Sequence, residues 1–216
     1  MIRPPGDRAR AGRRWAAVVA TLPFVAAAFA VVFVWRPVSF WAAMTATQAA
    51  LVTAALVLRP DTLRALAPRA TDILWGLGSA AALYGVFVVG DAAARALFDF
   101  AGSQIDRIYA IRDEGEAAAI GLLLLLVIGP GEEIYWRGLV QRTLAERFGP
   151  LRGLAVTTAV YTLVHVATGN AMLLGAAFVC GAFWGALYTW RGRLAACVIS
   201  HAVWDVVVLV VLPIGR

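Results

Sequence analysis

Glu132 and Glu133 stand side by side in GPGEEIYWRG, directly after the apolar run Gly121 to Ile128, and the chain's only two histidines, His165 and His201, lie in later apolar stretches. A titratable side chain at membrane depth costs about 2.5 to 3.5 kcal/mol on insertion scales, so such groups persist where they face one another or a watery cavity. Four of them in apolar surroundings point to a buried polar site. A carboxylate and a neutral histidine can together hold a water and take its proton, the general-base step of attack on a carbonyl. Glu132 and His165 suit that step. A second histidine beside a carboxyl group can steady the oxyanion that follows, usually the largest contribution in acyl transfer. His201 and Asp205 suit that one. An ionised carboxylate only accepts hydrogen bonds, so Asp205 either acts on the oxyanion while protonated or orients His201, and both roles stay open.

Helical spacing sorts these groups into pairs. Positions four apart share a face, which sets Glu133 against Arg137, Tyr161 against His165 and His201 against Asp205, while neighbours diverge by about 100°. Glu132 is then the freer carboxylate. Pro130, between Gly129 and Gly131, is expected to interrupt or kink the span just before the acidic pair, and interrupted helices at membrane depth usually line an enclosed cavity. The plainer alternatives are a structural ion cluster of Glu132, Glu133 and Arg137 near the interface, and histidines bonded only to backbone carbonyls. Zinc on Glu132, His165 and His201 is a further alternative, though HExxH is absent, and no metal or other cofactor is the favoured reading. Cys197 lies four residues before His201, but no basic neighbour is set to make it a thiolate.

The elements that must position these residues are membrane helices. The chain of 216 residues is 62% hydrophobic and 15% charged, with a mean hydropathy of +0.79. A soluble domain could not carry that without large apolar patches. The net charge of +6 comes from arginine, with no lysine, and no DNA-binding motif accompanies it, so lipid headgroups and orientation account for it and a nucleic-acid partner is not expected. Cys180 and Cys197 read as small buried residues. Roughly seven stretches approach the ~20 residues needed to cross the hydrocarbon core, near 15–35, 40–58, 72–90, 117–140, 153–168, 171–190 and 194–213. The expected fold is an all-α polytopic bundle with its polar site in the carboxy-terminal half, divided as 1–116, the amino-terminal helices and connecting loop, and 117–216, a core of four spans, within one structural unit.

Arginines before the first span (Arg3, Arg8, Arg10, Arg13, Arg14) and on alternate connections (Arg59, Arg64, Arg69; Arg142, Arg147, Arg152; Arg191, Arg193) place that side in the cytoplasm. The acidic 91–116 connection belongs opposite, with the amino terminus inside and the carboxy terminus outside. The first span is expected to be a retained anchor even though Ala26 to Ala30 resembles a signal-peptidase site. Arg59 to Arg69, bounded by prolines, reads as a short interfacial helix. Gly181 and Gly185 mark a close-packing face. These boundaries leave one conflict: Glu132 falls in the inner half of the fourth span and His165 near the outer end of the fifth, whereas a shared site needs equal depth.

The motifs EEIYWR at 132–137, YTLVH at 161–165 and HAVWD at 201–205 resemble, in order and spacing, the CPBP intramembrane proteases, named for CAAX proteases and bacteriocin-processing enzymes and also called the Abi family. The resemblance covers about the last 100 residues. It departs from the family at Tyr161, where phenylalanine is usual, and at Asp205, where asparagine is common. The resemblance implies that Glu132 and His165 activate water, that His201 and Asp205 stabilise the oxyanion, and that Glu133, Arg137 and Tyr161 support the site. It implies an endopeptidase of the cell membrane acting on a membrane-associated protein or peptide. A silent peptide-binding immunity or scaffold protein and a proton-coupled transporter are the alternatives, and oligomeric state stays open.

Overall fold

The computed structural model describes residues 5–215, with the side chains of residues 5–11 and 13 left aside. Arg3 falls outside the described residues, as do the side chains of Arg8, Arg10 and Arg13. The described residues form helices and turns with no strand. In chain order these are α1 (Pro5–Ala30, continued by a π turn, Val31–Trp35), α2 (Phe40–Leu58), α3 (Thr62–Ala65), α4 (Ala70–Leu97), α5 (Ala101–Tyr109, followed by the 3-10 turn Ala110–Glu114), α6 (Ala117–Phe148), α7 (Pro150–Leu163), α8 (Ala171–Arg191) and α9 (Leu194–Val206, continued by the π turn Val207–Val211).

Six of these are long and apolar enough to cross a membrane: α1, α2, α4, α6, α8 and α9 with its π turn. The burial pattern is that of a membrane bundle. Leu74, Val89, Leu126 and Phe178 are exposed, whereas Gln48, Arg59, Asp72, Glu133 and Arg137 are buried. An apolar rim around a polar interior is stable where the surrounding solvent is lipid, because polar groups must find their partners inside the protein.

The fifth expected span departs most from the sequence reading. α7 has 14 residues, a length of about 21 Å, and stops short of a hydrocarbon core of about 30 Å. It ends at Leu163, and His165 lies in the turn before the 3-10 segment Val166–Thr168. α6, by contrast, runs on to Phe148, beyond the boundary expected at 140, so Glu132 lies mid-helix. The two arms meet at Gly149, whose φ of 90° suits glycine, with Pro150 opening α7. Glu132 and His165 lie nearly equally far along the chain from that corner, on opposite arms. The depth conflict is thereby removed.

Pro130 does not break α6. Leu124–Ile128 and Ile134–Gln141 are π-wound on either side of the α-helical Gly129–Glu133. The Gly129 N–H reaches back to Leu124 O, five residues away. The wider winding absorbs a residue that has no N–H and whose ring would crowd the preceding turn. The expected interruption is thus a change of winding within a continuous helix.

Contacts give the directions of the remaining helices. α1 and α6 run antiparallel, with Trp15 against Phe148 and the Thr21 and Tyr135 hydroxyls 2.7 Å apart. α4 and α9 run parallel: Asp72 accepts from Arg193 at their starts, Ser79 bonds Ser200 at 2.9 Å, and Phe87 meets Trp204 further along. At the arginine-rich end Arg59 is buried, bonded to Thr143 and Glu146, and Arg142 pairs with Asp61. Within 59–69 the four residues of α3 are helical, and Arg59 faces inward. At the other end α5 packs over the turn before α8, where Asn170 donates to Gln104 O at 2.9 Å, and Arg36 pairs with Glu114.

Candidate active site

Every candidate residue converges on the interior where α6, α7, α8 and α9 meet. The two glutamates diverge as helical splay requires. Glu133 is fully buried behind the cavity wall, and its Oε1 accepts from Arg137 Nη1 at 2.7 Å and lies 2.8 Å from His201 Nδ1. Arg137 Nη2 donates to Gly181 O at 3.0 Å, its second contact being Cys180 O at 3.4 Å. The guanidinium also lies over the rings of Tyr161 and Trp184. One cation therefore joins α6 to α8 and holds the carboxylate that holds His201. A fork of fixed donors can do this, and an ammonium cannot.

Gly181 makes the approach possible. Its Cα side meets Tyr161 and Thr158, and a Cβ there would stand 3.1 Å from Tyr161 Cδ1. Gly185 does the same a turn further along α8, with Gln141 donating to its carbonyl at 2.8 Å. The small-residue face read from the sequence is where α8 packs on α7 and where its carbonyls receive buried side chains from α6.

Glu132 turns the other way, into a cavity of about 470 Å³ that Tyr161, His165, His201 and Asp205 also line. The Tyr161 hydroxyl donates to Glu132 Oε2 at 2.7 Å. His165 Nδ1 lies 2.9 Å from Tyr161 O, and a carbonyl only accepts, so Nδ1 carries the proton. In the neutral ring Nε2 is then the unprotonated nitrogen. Phe29 and Phe33 of α1 and its π turn meet the His165 ring edge-on at 5.1 and 5.6 Å and fix its plane. His201 sits between two carboxylates, with Nδ1 toward Glu133 and Nε2 3.4 Å from Asp205 Oδ2. Trp184 stacks on its ring at 3.7 Å and 17°.

The rest of the cavity wall is apolar and aromatic, including Phe40, Trp41, Met44, Phe87 and Trp204. Such a chamber takes an apolar chain, with Asp91 and Arg112 as further charged groups on its wall away from the acidic site. Cys180 lines it too, while Cys197 lies behind Trp184 with its thiol toward Trp184 O.

Several contributors were not legible in the sequence. Trp184 lies between Gly181 and Gly185, which marked that face for packing, but nothing in the sequence set it on His201. Ser200 and Ser79, which form a buried chain with Trp184 Nε1, carried no signal either. Phe29 and Phe33 come from a region of the chain that the motifs do not reach. Among the described residues no three His, Cys, Asp or Glu side chains form a group that could hold a metal.

Residues 114–207 match the family described as type II CAAX prenyl endopeptidase, Rce1-like. The match spans all three motifs and rather less than half of the chain. No curated protein and no solved structure matches.

Proposed function

From the match of segment 114–207 to the Rce1-like CAAX prenyl endopeptidase family, we infer that the chain is an intramembrane endopeptidase hydrolysing a peptide bond of a membrane-associated protein or peptide. The observation that carries this reading is the division of the acidic pair: Glu132 faces the cavity beside the Tyr161 hydroxyl, and Glu133 is spent on Arg137 and His201.

A water placed between Glu132 and His165 Nε2 gives up its proton to them as it attacks the scissile carbonyl. The negative charge that develops on the carbonyl oxygen is met from the α9 side, where His201 Nε2, 3.4 Å from Asp205 Oδ2, lines the cavity and donates when the ring is protonated. The tetrahedral intermediate collapses as the proton taken from water passes to the departing amine. Glu133 and Arg137 keep His201 facing the cavity. The arginine-rich ends of the helices lie in the cytoplasm and the acidic 91–116 connection on the opposite side of the cell membrane.

The test is hydrolysis by the purified chain in lipid vesicles of a library of membrane-inserted peptides, read as new termini by mass spectrometry. Cleavage that disappears in Glu132→Gln and in His165→Ala, with unchanged thermal unfolding, supports the reading. Peptides that bind but are never cut would make the chain a binding protein.

A further inference from the structure

At one mouth the cavity is lined by the chain's own non-helical segment. After the π turn of α9 the backbone leaves the helix at Leu212, and Ile214 turns back and lines the cavity as a buried side chain. The segment is held as a bound peptide would be. Its Leu212 carbonyl accepts from the Tyr84 hydroxyl at 3.0 Å, and its Ile214 N–H donates to the Tyr109 hydroxyl at 3.0 Å. Gly215 lies against the Asp91 and Arg95 pair, where a Cβ would stand 3.1 Å from Asp91 Oδ2 and 3.2 Å from Arg95 Nη2.

None of these contacts is helical, and the two tyrosine bonds use backbone polar groups that any extended peptide carries. Tyr84 and Tyr109 come from α4 and α5, which converge here. Asp91 lines the same cavity as Glu132, His165 and His201, so the mouth and the acidic site belong to a single continuous space. Pro213 takes the segment out of helical winding and so frees the flanking carbonyl and N–H for the tyrosines.

We propose that the mouth formed by Tyr84, Tyr109 and the Asp91–Arg95 pair is a binding subsite for an extended apolar peptide, and that the chain's own Leu212–Gly215 segment occupies it until substrate displaces it. The proposal rests on the endopeptidase reading for the identity of the displacing peptide. An apolar substrate side chain takes the place of Ile214, and its backbone takes the two tyrosine hydroxyls. Access to Glu132 from this side then requires the Leu212–Gly215 segment to leave, a restraint on unselective hydrolysis.

Cys180 provides a readout independent of catalysis, because it is buried and lines the same cavity. In a Cys197→Ala, Glu132→Gln background, alkylation of Cys180 by N-ethylmaleimide in detergent reports access to the cavity. Removal of residues 212–216, or Ile214→Asp where the truncated chain does not fold, is expected to raise the labelling rate several-fold. Adding a synthetic peptide of sequence VLPIG is expected to slow labelling again, and less so in Tyr109→Phe. Equal labelling with and without residues 212–216, or no protection by the peptide, would overturn the proposal. Protection by VLPIG, with no cleavage of any membrane-inserted library peptide by the Glu132-intact chain, would keep the subsite and overturn the endopeptidase reading.

Discussion

Glu132 and Glu133 are separated by one position and by about 100° of helix, which gives two identical carboxylates opposite surroundings. Glu132→Gln keeps the shape and the Tyr161 contact but removes the base, so hydrolysis is expected to fall by about a hundredfold or more while thermal unfolding is unchanged. Glu133→Gln instead leaves Arg137 buried without its counter-charge, and breaking a buried pair in this way costs about 3 to 5 kcal/mol. Its expected signature is a lowered unfolding temperature and reduced yield of folded protein. Arg137→Lys is expected to behave like Glu133→Gln, since a single ammonium cannot serve Glu133 and the α8 carbonyls together. Circular dichroism melts of the three variants beside their hydrolysis rates separate the two kinds of loss. The pairing of Glu133 with Arg137 was legible from spacing alone. That the same oxygen would also hold His201 was not, because α6 and α9 are far apart in sequence and only packing brings them together.

At the level of helices, the site depends on how closely α6 lies on α9. Gly129 sets that distance, for a Cβ there would stand 2.8 Å from Ala202 Cα and 2.9 Å from its N. Both are backbone atoms that cannot turn aside. Gly129→Ala is expected to push the helices apart, to cost about 1 to 3 kcal/mol, and to lower hydrolysis by drawing His201 away from Glu133. Gly121→Ala, in open space on the same helix, is the control and is expected to leave both melt and rate unchanged. The sequence marked Gly129-Pro130-Gly131 as special through its helix-breaking residues, yet those residues do different work. Pro130 is absorbed by π winding, and Gly129 is there for contact with α9. The shortness of α7 was also hidden, since its apolar run continues through Val164 and Val166 and hydropathy gives no stop there. The turn at His165 arises where the chain bends toward α8, a tertiary event.

For the molecule as a whole, the arginine-rich connections gather at one end of the bundle and the acidic connection with α5 at the other. Cysteines introduced at Leu63 and at Ser103, in a background lacking Cys180 and Cys197, are therefore expected to react with an impermeant maleimide from opposite sides of the membrane. Ser103→Cys should label in intact cells and Leu63→Cys only after permeabilisation. Labelling of both from one side would overturn the orientation.

The all-helical membrane class and the pairings within single helices were readable from the linear chain. Hydropathy reports the solvent a helix faces, and the i, i+4 relation within one helix is a local matter that needs no partner. The convergence of Glu132, Tyr161, His165 and His201 on one cavity belongs to the tertiary structure. It depends on equal arm lengths about Gly149, on glycine contacts that admit α8 and α9, and on Trp184, Phe29 and Phe33 arriving from elsewhere to hold two imidazoles in place. Such distances are set by packing between helices remote in sequence. The seating of Ile214 in the cavity mouth is of the same kind, since Tyr84 and Tyr109 meet it from across the fold.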